Sequence, residues 1–124
     1  MHTVGRIDRE IYKCVAENIR TDEVIITVGQ IQHIEERHPN IYITYSKYLS
    51  QIVSEPDYIL MDRGPDTAFI LKQTDSGEKF QTILRLCTSS DPADYKNSII
   101  TFFKIDDKRW KRYLRTKKIL YKRG

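Results

Sequence analysis

A chain of 124 residues, 40% hydrophobic and 31% charged, has the size and composition of one globular domain, with no room for two independent cores. It has no apolar run approaching the roughly eighteen residues of a membrane helix, which argues against a membrane partner. The start, Met1-His2-Thr3-Val4-Gly5-Arg6, lacks the charged-then-apolar order of a secretory signal, so a cytoplasmic protein is expected. Cys14 and Cys87 form no CxxC pair and have no histidine at ligand spacing; two free, buried thiols are the simplest expectation, and no metal or other cofactor is implied. The charge is uneven. Residues 104–124 hold ten Lys or Arg against two acids, while the other 103 residues hold eleven against fifteen, so the net +4 is the sum of about −4 and +8. That asymmetry points to a polyanionic partner met by one end of the molecule, although a short basic segment can also be a solvated face.

In chain order, residues 7–20 carry Ile7, Ile11, Cys14 and Val15 at helical spacing and predict a first helix. Val24-Ile25-Ile26-Thr27 is β-branched and predicts a short strand or an extended lead-in. Residues 29–38 predict a helix that Pro39 stops, because the residue before a proline is pushed out of the α region. Residues 41–54 predict another helix, ended by Pro56. The period then changes to two. Residues 58–61, 67–73, 79–88 and 98–104 predict four strands, separated by turn chemistry such as Asp75-Ser76-Gly77. Short turns between consecutive strands favour an antiparallel meander. Residues 106–116 predict a basic helix with Asp106 as N-cap, and Ile119-Leu120-Tyr121 a closing strand. The expected fold is therefore α+β: N-terminal helices packed on a four-stranded antiparallel meander, followed by a basic C-terminal helix.

Two features could carry chemistry. His33 and His38 close one short helix, and imidazoles titrate where proton transfer to and from RNA is needed. Their spacing is not that of HExxH, which argues against a shared zinc. His33 shares a helical face with Arg37, whereas His38 continues the apolar line of Ile31 and Ile34. A solvated His33 and a His38 bonded to the helix end is the plainer alternative. Arg85 stands in Thr82-Ile83-Leu84-Arg85-Leu86-Cys87-Thr88, an otherwise apolar strand. Arginine in such a place needs a carboxylate or a phosphate. Lys72, on the neighbouring strand, is a weaker candidate for the same work.

In Ser98-Ile99-Ile100-Thr101-Phe102-Phe103-Lys104, strict alternation sends Thr101 and Lys104 to opposite faces unless a bulge intervenes. Thr101 and Phe103 together would offer a hydroxyl beside a flat ring. In the basic helix, Trp110, Tyr113 and Leu114 fall at core spacing, which leaves Arg109, Lys111, Arg112 and Arg115 to follow a phosphate backbone. No glycine-rich phosphate loop, paired-metal acid cluster or serine elbow is present in the sequence.

The ordered set resembles the phage-associated branch of the BECR nucleases, the superfamily joining barnase, EndoU, colicin-type tRNases and RelE. The set is His-Ile-x-x-Arg-His-Pro, a meander, an isolated strand arginine, Ser-Ile-Ile-Thr-Phe-Phe-Lys, a Trp-bearing basic helix and Lys-Lys-Ile-Leu-Tyr-Lys. The resemblance spans about residues 4–123 and implies one BECR-like nuclease domain over 1–124. It further implies metal-independent cleavage of RNA by the substrate's own 2′-hydroxyl, in a domain of the kind found as a toxin or fused to a phage head protein. His33 or His38 would be base or acid, Arg85 would steady the phosphorane, Thr101 would match the hydroxyl of the last strand, and Lys104 would assist. The two histidines lie closer together than in the EndoU arrangement. The expected function is an endoribonuclease acting on tRNA or other structured RNA. Two alternatives stand beside it: a non-catalytic nucleic-acid-binding module, and an interaction domain whose basic end docks an acidic immunity or antitoxin protein.

Overall fold

The structure, a computed structural model, describes residues 2–124; Met1 lies outside the described residues. The four strands read from the periodicity form the middle of a larger sheet. They are β3 (Tyr58–Met61), β4 (Thr67–Gln73), β5 (Lys79–Arg85) and β6 (Asn97–Ile105), with β1 (His2–Arg6) and β2 (Glu23–Ile26) before them and β7 (Ile119–Lys122) after. The order across the sheet is β1-β2-β6-β5-β4-β3-β7. All neighbours are antiparallel except β2 and β6, which run parallel.

The expected four-stranded antiparallel meander is therefore corrected to a seven-stranded mixed sheet. β1 escapes periodicity because it is mostly exposed and its pairing shifts between Thr3 and Gly5. β2 joins β6 through only two pairs, Val24 with Asn97 and Ile25 with Ser98, residues too far apart in sequence for local pattern to connect.

The helices also differ from expectation. The first is a single turn, α1 (Arg9–Tyr12), because the chain beyond it is pulled across to residues 87–89: Arg20 N–H donates to the Cys87 carbonyl, and Ile19 bridges Thr88. α2 (Val28–Arg37) starts at Thr27, whose hydroxyl accepts from Gln30 N–H. The region read as one helix over 41–54 is α3 (Ile41–Tyr45), a 3-10 turn at Ser46–Tyr48 and α4 (Leu49–Ser54). Tightening there turns Tyr45 and Tyr48 together, and both rings meet Phe80, at 5.2 and 5.8 Å. Glu35 joins α2 to α3, its carboxylate accepting from the N–H groups of Asn40, Tyr42 and Ile43. α5 (Asp107–Thr116) is capped by Asp106. Among the described residues, no helix is long and apolar enough to cross a membrane. The thiols are both free, but only Cys87 is buried; Cys14 is exposed.

Two apolar clusters sandwich the sheet. On one face Ile26, Ile59, Ile70, Phe80, Leu84, Ile99 and Phe102 pack under Tyr12, Ile34 and the α4 residues Leu49, Ile52 and Val53. On the other, Leu60, Phe69, Leu71 and Ile105 pack under Trp110 of α5. The β2–β6 seam is held by Asn97, which is 0% exposed. Its Oδ1 accepts from Cys87 N–H at 2.7 Å, and its Nδ2 donates to the carbonyls of Thr21 and Glu23 at 2.8 and 3.0 Å. Stranding a buried polar partner costs about 1–3 kcal/mol. Asn97→Ala is accordingly expected to destabilise the chain by about 3 kcal/mol, read as a lower urea midpoint with unchanged m-value.

Candidate active site on the open half of the sheet

The site begins with a bulge. β6 pairs Thr101 with Ile83 and Ile99 with Leu84, which leaves Ile100 over. Ile99 and Phe102 consequently enter the same buried cluster, and Ser98, Thr101 and Phe103 share the opposite face with Arg85 and Ile83. The bulge precedes Thr101, so Lys104 remains across the sheet from it. The Lys104 ammonium lies 5.5 Å from the Tyr45 ring.

α5 covers only part of this face. Trp110, Tyr113 and Leu114 pack over Phe69, Leu71 and Ile105, with the Phe69 and Tyr113 rings 4.9 Å apart. Thr67, Ile83, Arg85, Ser98 and Thr101 stay half-buried. Rows two residues apart on a strand are spaced by about 7 Å, so the row of Arg85 and Ser98, the row of Ile83 and Thr101, and the row ending at Phe103 form a short track.

α2 forms one wall of that track. β2 stops at Ile26, Thr27 caps α2, and α2 then packs along β6 where further strand would have paired. His33 is exposed and shares a crevice with Thr27, Gly29, Gln30 and Ile100. His38, at the far end of α2, stacks on Phe103 with ring centroids 4.2 Å apart and planes 18° from parallel. Along β6, His33 thus shares a crevice with Ile100, the residue before Thr101, and His38 stacks on Phe103, two residues beyond it. The Arg109 guanidinium lies 5.9 Å from the same Phe103 ring, bringing the start of α5 to this end of the track. Desolvation lowers the pKa of His38 below the usual 6.5, and the positive charges of Arg109 and Arg37 lower it further.

At the other end, Arg85 is engaged. Its two terminal nitrogens reach the Asp91 carboxylate at 2.9 and 3.3 Å, and one also donates to the Leu86 carbonyl. The Thr88 backbone N–H and the Arg85 guanidinium hold Asp91 below the ordinary carboxylate range. The sequence shows the demand of Arg85 for an anion but does not name Asp91 as its partner. The available signal was its position six residues on, in the turn that follows the strand. Lys72 is 2% exposed, and its ammonium pairs with Asp57 at 3.4 Å, leaving no charge to offer a ligand. On α5, Arg109, Lys111, Arg112 and Arg115 are all exposed. Lys111 is paired with Asp107 at 3.0 Å, and the Arg112 guanidinium lies 5.6 Å from the Tyr113 ring. No group of three or more His, Cys, Asp or Glu side chains able to hold a metal ion occurs among the described residues.

Because the pKa of His38 is depressed, its ring gives up its proton at a lower pH than an ordinary imidazole, which favours the neutral form able to accept a proton. Arg109→Gln should raise that pKa without fully restoring it, since desolvation is the larger cause. A histidine-resolved NMR titration of the two proteins checks this. An unchanged midpoint would separate Arg109 from the site.

No curated protein and no solved structure matches the chain. A family model described as phage-Barnase-EndoU-ColicinE5/D-RelE like nuclease2 matches residues 1–122. That match spans the sheet, both histidines, Arg85, Thr101 and the basic helix. The chain belongs to this family of phage-associated nucleases.

Proposed function

We propose that the chain is an endoribonuclease that cleaves tRNA or other structured RNA without a metal ion. The observation that carries this reading is the pair of imidazoles set along β6, His33 by Ile100 and His38 on Phe103, next to a sheet face left open beside a basic helix. In the proposed reaction, neutral His38 takes the proton from a ribose 2′-hydroxyl, and the 2′-oxygen attacks the adjacent phosphorus. His33 gives a proton to the departing 5′-oxygen. The products are a 2′,3′-cyclic phosphate and a free 5′-hydroxyl. Thr101 donates its hydroxyl to a non-bridging oxygen, and Arg85 meets the charge that builds on the phosphorane. Support of this kind is worth roughly 3–4 kcal/mol per well-placed donor. Arg109, Arg112 and Arg115 follow the backbone beyond the cleaved bond, with Lys111 in a lesser part because of its pairing with Asp107. Lys104 lies across the sheet and reaches only RNA that wraps the edge.

The engagement of Arg85 with Asp91 favours a second reading, a nucleic-acid-binding domain without catalysis. Incubation with total tRNA in EDTA separates the two. The nuclease reading expects fragments ending in cyclic phosphate, with His38→Ala, His33→Ala and Thr101→Val each losing activity. The histidine variants should lose about 10²–10⁴-fold. Intact RNA at high protein concentration, with binding retained, would select the binding module. A chain that binds no RNA even at low salt would remove both readings and leave an acidic protein as the partner.

Backbone binding has its own signature. Affinity should fall linearly with the logarithm of salt concentration, and Arg112→Ala and Arg115→Ala should each flatten that slope by about one phosphate contact. Fluorescence anisotropy over a salt series reads it. A slope unchanged in the double variant would remove α5 from the interface.

A further inference from the structure

We propose that the crevice between the end of β2, the start of β6 and the loop before β6 is a subsite for one unpaired nucleobase, stacked on Tyr95. The proposal rests on the ribonuclease reading above and gives it a means of selecting where to cut.

The crevice has a volume of about 240 Å³ and is lined by Ile25, Thr27, Asp94, Tyr95, Lys96 and Ser98. That is smaller than the roughly 300–1,000 Å³ of sites for drug-sized ligands, and suits a single ring system. Its position follows from the sheet register. Ser98 lies opposite Arg85 on one side and opposite Ile25 on the other, so the crevice is one strand away from Arg85 and on the same face. Adjacent strands are about 4.8 Å apart, within the reach of one nucleotide. Thr27 also lines the crevice that contains His33, so the two hollows meet at that residue.

The chemistry of the walls fits a base better than a phosphate. Ile25 supplies an apolar surface and Tyr95 a flat ring. Ser98, Asp94 and Thr27 supply both hydrogen-bond donors and acceptors at the rim. Lys96, the cation of the set, is paired with Glu23 at 3.7 Å, and Asp94 would repel an anion. A neutral, planar, edge-polar ligand is what such walls hold.

Tyr95 is also held in place for this work. Its N–H donates to the Pro92 carbonyl at 3.1 Å, and its own carbonyl accepts from the Cys87 thiol at 3.3 Å. Arg20 clamps the loop by donating to the carbonyls of Ser89, Asp91 and Pro92 at 2.9–3.1 Å. The backbone is tied on both sides of a ring that is still 54% exposed. A tied loop that keeps a large aromatic in water leaves the ring pre-set for a stacking partner.

The test uses the full chain, Tyr95→Ala and Tyr95→Phe, with the four ribonucleoside 3′-monophosphates as binding probes and an RNA of mixed sequence as substrate. The wild type should prefer one or two bases. Tyr95→Ala should weaken their binding by about 5- to 150-fold, the range of one base–aromatic stack, and flatten the base preference at cut sites. Tyr95→Phe keeps the ring and should keep both. Because the side chain is exposed, neither variant should unfold, which the urea midpoint checks. Cleavage whose base preference is the same in Tyr95→Ala, or a wild type that binds none of the monophosphates, overturns the subsite. Monophosphate binding that depends on Tyr95 in a chain that cuts no RNA upholds the subsite and rejects the catalytic reading.

Discussion

One buried carboxamide holds together the parts of the molecule that matter most. Asn97 bonds to Cys87, Thr21 and Glu23, and so fixes β2, the start of β6 and the segment that follows β5 against one another. The parallel seam has only two residue pairs of its own, and the Asn97 bonds add two more ties across it and a third to Cys87. From that seam α2 is launched along β6, and from it the loop carrying Asp91 and Tyr95 departs. Both histidines, the partner of Arg85 and the crevice beside it therefore take their positions from a single amide that reaches no solvent.

α5 divides the opposite sheet face into covered and open parts. Its Trp110, Tyr113 and Leu114 seal one half, and the same ten residues present arginines outward. The strong segregation of apolar and cationic residues in Asp107–Thr116 thus limits the site and charges its border at once. Arg109 acts on both: it lies over Phe103, and it helps keep the neighbouring imidazole neutral.

Much of this was legible from residue order, for identifiable reasons. The strands from Tyr58 to Ile105 announce themselves because alternation and turn chemistry are local; Gly77, with φ of 96°, is the residue such a turn requires. The packing of Trp110 follows from helical spacing in the same way. What stayed hidden is non-local. Ile99 and Ile100 are chemically alike, so nothing in their order shows which one is the bulge, and the facing of Ser98 relative to Thr101 depends on it. The parallel pairing of Val24 with Asn97 leaves no trace in either segment. The placement of His38 on the apolar line of Ile31 and Ile34 was readable, but its stacking on Phe103 needed the sheet register.

The distance along the chain between those paired strands has a kinetic side. Val24 and Asn97 lie 73 positions apart in the chain, whereas the hairpins of the meander close over a handful of residues. Loop-closure entropy grows with the logarithm of loop length, so joining β2 to β6 costs about 2 kcal/mol more than closing such a hairpin. The hairpins are the cheaper early contacts, and the seam must wait for them. The β2–β6 seam, with the crevice beside it, is in this sense the last part of the molecule to be built. With two residue pairs of its own, the seam relies once formed on the buried bonds of Asn97 to stay closed.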